Sequence, residues 1–249
     1  MLDTLKRLFR RDGAAQPASW PEIEHWAASS GRAYRPARDG AGFVVEGRYE
    51  NRPWRLEWGP SQRDYLIGHE LRLRLDVELP HQLQLLVASR ELMKWLEGET
   101  FERYTDQLQT HIDSSTPEEM RWLVMFPKLS LRALPALHGR VGAVGASLPA
   151  LSRWIDGTLA VRLEQAGQRL LSGDRPFVLM TSRNRIMLRV ELAEPEPPTL
   201  DQAIGLFETA VSRVPNAIEG LAETSSAWPS TAASAWHSQM PGEPPAAAG

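Results

Sequence analysis

The chain has 249 residues, of which 42% are hydrophobic and nine are Trp, enough apolar material for one large domain or two small ones. A formal net charge of −3 offers no overall attraction to phosphates, which argues against a nucleic-acid partner. The absence of Cys excludes disulfides and thiolate chemistry and is typical of a cytoplasmic protein. No stretch has the features of a signal peptide or the roughly 20 apolar residues of a membrane-spanning helix.

The first residues, "MLDTLKRLFRRDG", predict a basic amphipathic helix over residues 1–11, followed by a linker over residues 12–19. Such a helix binds reversibly at an anionic surface, which would place the protein at the inner face of the membrane. Docking on a partner, on this protein's own body or on a sister subunit of a homo-oligomer is the alternative. The candidate contact residues are Leu2, Leu5, Lys6, Arg7, Leu8, Phe9, Arg10 and Arg11.

Residues 20–130 predict an α+β lobe. A short helix at "WPEIEHWAASSG" precedes three runs with a period of two, "GFVVEGRYE", "RPWRLEWG" and "ELRLRLDVEL", which are typical of antiparallel strands with one solvated face. In the last run, Leu73 and Leu75 are expected to be buried and Arg72 and Arg74 exposed. "LQLLVASR" is a candidate fourth strand, and amphipathic helices after it are expected to cover the sheet.

Residues 131–222 predict a helix, a hairpin and a helix. A capping box, "TPEE" at 116–119, is expected to start the helix before this lobe, with Glu119 reaching back. The glycines of "GRVGAVGAS" indicate a flexible loop with Ser147 capping the next helix. One long helix is expected over residues 151–171 despite Gly157, and Thr199 with Gln202 indicates a further capped helix.

The fold class is therefore α+β, with an antiparallel sheet covered by amphipathic helices, organised as one sheet or as two α+β lobes. A divergent duplication of the two halves is a further alternative. Residues 223–249 are too poor in periodic apolar residues to supply a core, and we expect them to be disordered. The repeated "SAW" in this tail makes Trp228 and Trp236 a candidate motif for a partner pocket, against the alternative of chance repetition.

The densest polar stretch, "GPSQRDYLIGHELR", lies between two predicted strands. Its side chains are candidates for acid, base and anion-binding groups, or are the ordinary charges of a solvated turn. The candidate ligand region comprises Arg63, Asp64, Tyr65, His69 and Glu70. No metal or cofactor is expected, because the histidines lack metal-ligand spacing and the glycine-rich stretch lacks the Lys-Ser/Thr ending of a phosphate loop.

These patterns favour a non-catalytic binding or scaffolding protein, loosely associated with an anionic membrane surface or a partner through its first helix. The alternative is an enzyme or small-ligand-binding protein that uses residues 63–70.

Overall fold

The computed structural model describes residues 20–37, 40–106 and 116–226, and within them eight strands pair antiparallel into one sheet. The strands are β1 (Ala33–Pro36), β2 (Phe43–Tyr49), β3 (Arg52–Pro60), β4 (His69–Asp76), β5 (Leu85–Ser89), β6 (Val141–Gly145), β7 (Phe177–Ser182) and β8 (Arg185–Glu191). Their order across the sheet is β1-β2-β3-β4-β8-β7-β5-β6. The three period-two runs, the fourth strand and the hairpin are confirmed.

Helices lie on both faces of the sheet. They are α1 (Pro21–Ser29), α2 (Arg90–Asp106), α3 (Glu118–Met125), α4 (Pro135–His138), α5 (Leu148–Ile155), α6 (Thr158–Ala166), α7 (Pro197–Ser212) and α8 (Val214–Ser226). The first face carries the larger core, which takes buried residues from α1 and from α4 to α8. On the second face, α2 and α3 form a smaller core over β5, β6 and β7. The α+β class with an antiparallel sheet and covering helices is therefore confirmed.

The sheet joins distant parts of the chain. Strand β4 pairs with β8, and β5, from residues 20–130, lies between β7 and β6, which both come from residues 131–222. The division into lobes at residue 130 stays a prediction. Helix α8 continues to Ser226, four residues into the segment predicted as tail. The residues of the predicted N-terminal helix, together with Trp228 and Trp236, lie outside the described residues.

The register of β4 follows the predicted alternation, with one correction. Leu73 and Leu75 are fully buried and Arg74 is exposed. The side chain of Arg72, however, is only 15% exposed, because it pairs with two glutamates, Glu57 and Glu70, at 3.1 and 2.7 Å. Alternation correctly assigns the face of each side chain, but a charged side chain on the solvated face can still be covered by its ion-pair partners.

The glycine-rich stretch is a strand, and the prediction of a flexible loop was wrong. Val141–Gly145 forms β6 along β5, and the lack of a side chain at Gly142 lets Met93 of α2 pack directly against it. Small residues allow this close approach of helix to strand. The hydroxyl of Ser147 accepts a hydrogen bond from the Ala150 amide at 3.3 Å, so the predicted N-cap is confirmed.

Two helix predictions also need correction. The expected long helix divides into α5 and α6 at Gly157, whose φ of 63° is not helical and is tolerated by glycine alone at low cost. Helix α7 begins at Pro197, with Glu196 as N-cap and no side-chain cap, so Thr199 and Gln202 do not form a capping box. The Gln202 side chain instead accepts from the Leu170 amide at 2.8 Å and ties the turn that follows α6 to α7.

Candidate functional site

The polar stretch of the sequence forms a compact loop between β3 and β4, residues 61–68. A backbone hydrogen bond of 2.9 Å from Ser61 to Gly68 closes the loop, and Gly68 adopts a φ of 74° to make the turn. Tyr65 and Leu66 are buried in the smaller core, where they pack with residues of α2 and α3. The loop therefore acts as a bridge between the sheet and α3, rather than as a solvated turn.

The first polar cluster centres on Glu119 of α3. Its carboxylate, 3% exposed, accepts hydrogen bonds of 2.6 Å from both the Arg63 guanidinium and the Tyr65 hydroxyl. Burial alone would raise the pKa of Glu119, but the charge of Arg63 and the two hydrogen bonds outweigh burial and hold that pKa below its ordinary value. This use of the carboxylate corrects the capping-box prediction, because Glu119 points to the loop, and Pro117 precedes the helix without a side-chain cap.

The second cluster centres on Glu70, which is completely buried in β4. Its carboxylate accepts hydrogen bonds from the Gln62 backbone amide at 3.0 Å, from Arg72 at 2.7 Å and from Arg189 of β8 at 2.9 Å. A buried carboxylate is tolerated when charged donors satisfy its oxygens in this way. Glu70 thus links the loop, its own strand and the neighbouring strand at the centre of the sheet.

The remaining two candidate residues point elsewhere. Asp64 is exposed to solvent. The imidazole of His69 stacks on the Trp58 ring, with 4.6 Å between ring centroids and an interplanar angle of 6°. The five predicted residues therefore separate into two buried ion networks, one exposed carboxylate and one stacked ring, and the structure does not bring them together around one pocket.

The protonation states of these groups suit structure better than catalysis. Burial and the neighbouring Glu119 raise the pKa of Tyr65 above its ordinary value of 10.0, so its hydroxyl stays protonated at neutral pH. Glu119 stays ionised at neutral pH, because its pKa is lowered. A general acid or base works best with a pKa near the working pH, and both of these shifts lead away from it. Among the described residues, no three His, Asp or Glu side chains are grouped so as to hold a metal ion.

Three residues of these networks were missed from the sequence. Arg189 and Arg72 alternate with apolar neighbours and match the pattern of a wet strand face, while Glu119 matches a helix cap. A signal was nevertheless present for Arg189. It lies in the middle of the apolar run "IMLRVEL", where a charge requires either solvent or a buried partner.

A different surface feature lies over the same region. We define the α2–α3 layer as α2, α3 and the loop 61–68. Among the residues that the structure describes, six large apolar side chains are strongly exposed, and four of them belong to this layer. We call these four side chains the apolar patch: Ile67, Trp95, Val124 and Met125. Each is between 48% and 80% exposed. Because these exposed apolar side chains belong to one layer, that layer is a candidate interaction surface.

The sequence of this chain does not match a known family. No protein-family model matches the sequence, and curated proteins give no match either. Among solved structures, the chain is similar to the mycobacterial trehalose monomycolate transport factor A, TtfA, at 10% identity and a TM-score of 0.44, over 78% of this chain and 93% of that one. At that TM-score the likeness carries no functional argument. Within the described residues, we find no helix with the length and apolar character needed to cross a bilayer.

The Glu119 cluster leads to a prediction about acid stability. Because its folded pKa is lowered, Glu119 contributes stability that is present above the ordinary value of 4.5 and is lost as the pH falls through the folded pKa. Glu119→Gln should lower the free energy of unfolding by about 1 to 3 kcal/mol at pH 7, and the difference from wild type should shrink on acidification. Urea unfolding at several pH values measures this difference.

The matched control is Glu118→Gln, since Glu118 is the exposed neighbour on the same helix. It should change the free energy of unfolding by less than about 0.5 kcal/mol. Equal effects of the two substitutions, or a Glu119→Gln deficit that grows as the pH falls, would show that the Glu119 carboxylate does not hold α3 to the loop.

Proposed function

We propose that this chain is a non-catalytic binding protein whose α2–α3 layer docks on a partner protein and whose N-terminal helix holds it at an anionic membrane surface. The observation that carries the proposal is the apolar patch. The ionisable groups of this region are engaged in internal ion pairs, Arg63 with Glu119 and Arg189 with Glu70. These pairs hold the α2–α3 layer in place and offer little for acid–base chemistry.

The surroundings of the patch favour a protein over a lipid surface. Exposed Lys94 and Lys128 are each paired with a glutamate of α2, at 2.7 and 2.8 Å, so neither offers an unpaired positive charge. Trp and Met, both present in the patch, are enriched at protein interfaces. Attraction to anionic lipid instead requires unpaired positive charge.

Positive charge is concentrated in the first residues of the sequence. Residues 1–12 contain four basic and two acidic side chains, while the whole chain is negative. Each basic residue near an anionic leaflet contributes on the order of 1 kcal/mol. Burial of Leu2, Leu5 and Phe9 adds to this attraction, and the cost of forming a short helix offsets part of it.

Site-specific photocrosslinking tests the apolar patch. A photoreactive amino acid at position 125 should give a discrete adduct with one partner in the cells that express this protein, and Trp95→Glu should abolish it. The matched control is position 161 on α6, where the native Val161 is similarly exposed but lies on the opposite side of the sheet. Absence of an adduct at position 125, the same adducts from both positions, or an adduct with a second copy of this chain alone would contradict the proposal.

Flotation with anionic vesicles tests the membrane half. At low salt the full chain should float, and it should sediment at high salt because the attraction is largely electrostatic. Leu5→Glu/Phe9→Glu should remove flotation, whereas Ala14→Glu/Ala15→Glu in the linker adds the same charge outside the predicted helix and should retain it. If the full chain ignores the vesicles, or if the two double variants float alike, the helix does not bind membrane.

A further inference from the structure

The second face of the sheet is charged where none of the helices in the described part of the chain covers it. Strands β1 to β4 and β8 place seven arginines and five carboxylates on this side, as the cross-strand register requires. We call this half the charged sheet face: Arg35, Arg48, Arg55, Arg72, Arg74, Arg185 and Arg189, with Glu46, Glu57, Glu70, Asp76 and Glu191. Its surplus of two positive charges contrasts with a chain whose formal net charge is −3.

A cleft of about 480 Å³ opens on this face beside β1 and β2. Among the described residues, Arg35, Arg55 and Arg72 line it together with the carboxylate of Glu57, and Glu46 pairs with both Arg35 and Arg55. The rest of its lining includes Pro36, Ala37, Val44 and Pro60, with Phe43 and Trp58, whose rings are buried in the larger core on the opposite face. Small-molecule sites typically have volumes of about 300–1,000 Å³, and the volume of this cleft lies in that range.

The guanidinium groups of the cleft retain donor capacity. Arg35 is 60% exposed and uses one nitrogen in its ion pair with Glu46. Arg55 is 36% exposed and uses two nitrogens, one toward Glu57 and one toward Glu46. Because each guanidinium carries five N–H donors in a planar fork, a further oxyanion can be bound without breaking these pairs.

The guanidinium groups control the ionisation of Glu57. Burial would raise the pKa of Glu57, but a hydrogen bond from Arg55 and the charges of Arg55, Arg72 and Arg74 outweigh burial and lower it. An anion that enters the cleft would meet these guanidinium groups together with the carboxylates of Glu46 and Glu57 that pair with them.

We propose that this cleft binds a small soluble organic anion, a phosphate or carboxylate group joined to an apolar group, with Arg35 and Arg55 as the main oxyanion donors. The oxyanion lies against the two guanidinium groups, and the apolar part lies against Val44 and the proline-lined wall. Arg72 is a positioning residue. It pairs with Glu57 and Glu70, and Glu57 in turn pairs with Arg55, so Arg72 helps to hold Arg55 in place. The cleft shares no residue with the apolar patch, so its test does not depend on the proposed docking of that patch.

Isothermal titration calorimetry of the full chain with phenyl phosphate at low salt tests this site. Phenyl phosphate should bind with a saturable heat at one site per chain. Inorganic phosphate, which lacks the apolar group, and benzylamine, which reverses the charge, should each bind at least about tenfold more weakly. Arg35→Gln and Arg55→Gln should each weaken binding of phenyl phosphate by about tenfold or more, as expected for loss of a charge-assisted hydrogen bond.

The matched control is Arg48→Gln, because Arg48 lies on the same face but outside the cleft and bonds to Asn51 of the hairpin turn. It should leave the affinity for phenyl phosphate unchanged, and a thermal unfolding scan of each variant verifies that it is folded. Absence of saturable heat at millimolar phenyl phosphate would overturn the proposal. So would an equal loss in Arg48→Gln, or binding of benzylamine or inorganic phosphate as tight as that of phenyl phosphate.

Discussion

The buried ion pair between Glu70 and Arg189 is the interaction on which the rest of the structure depends. It lies where β4 meets β8, the junction between the β1–β4 meander and the strands that follow later in the chain. Removing a carboxylate from water is costly, and the cost is offset only when charged donors satisfy its oxygens. Arg189 bonds to both oxygens of Glu70, at 2.9 and 3.0 Å, and Arg72 adds a third charged contact. A shift in register at this junction would leave the carboxylate buried without these partners.

A series of contacts leads from this ion pair to the proposed binding surface. The Gln62 amide donates to Glu70 and fixes the start of the loop 61–68, while the Ile67 amide donates to Glu191 of β8 at 2.7 Å and fixes its end. Between these two anchors, Arg63 and Tyr65 hold Glu119 of α3. The polar residues that the sequence suggests as a ligand site are therefore the support of the α2–α3 layer. The surface that we propose for docking of a partner protein is the apolar patch of the same layer.

Much of this fold could be predicted from local patterns. Alternation of Leu and Arg along β4 assigns its buried side, because a strand has a period of two, and Ser147 assigns the start of α5, because its hydroxyl caps a local amide. The order of the sheet could not be predicted, since β4 beside β8 and β5 beside β7 are pairings between distant residues. Gly157 was misassigned because composition does not reveal a positive φ.

The candidate site was less predictable from the sequence, because it too depends on contacts between residues that are far apart in the chain. A glutamate near a helix start can bond to its own backbone or to a distant arginine, and for Glu119 only the tertiary structure selects the arginine. Arg72 and Arg189 likewise match the pattern of a solvated face, and only their approach to Glu70 distinguishes a buried network from surface charges. The residues 63–70 were identified as unusual, but their role depends on partners about 50 and 120 positions away along the chain.

A double-mutant cycle on Glu70 and Arg189 tests most directly the claim that these polar residues are structural. The free energy of unfolding would be measured for wild type, Glu70→Gln, Arg189→Met and the double variant. Each single substitution should cost about 3 to 5 kcal/mol, because it leaves a buried polar or charged partner uncompensated, and the double variant should lose clearly less than the sum of the two. A neutral single substitution, or losses that simply add, would contradict the account.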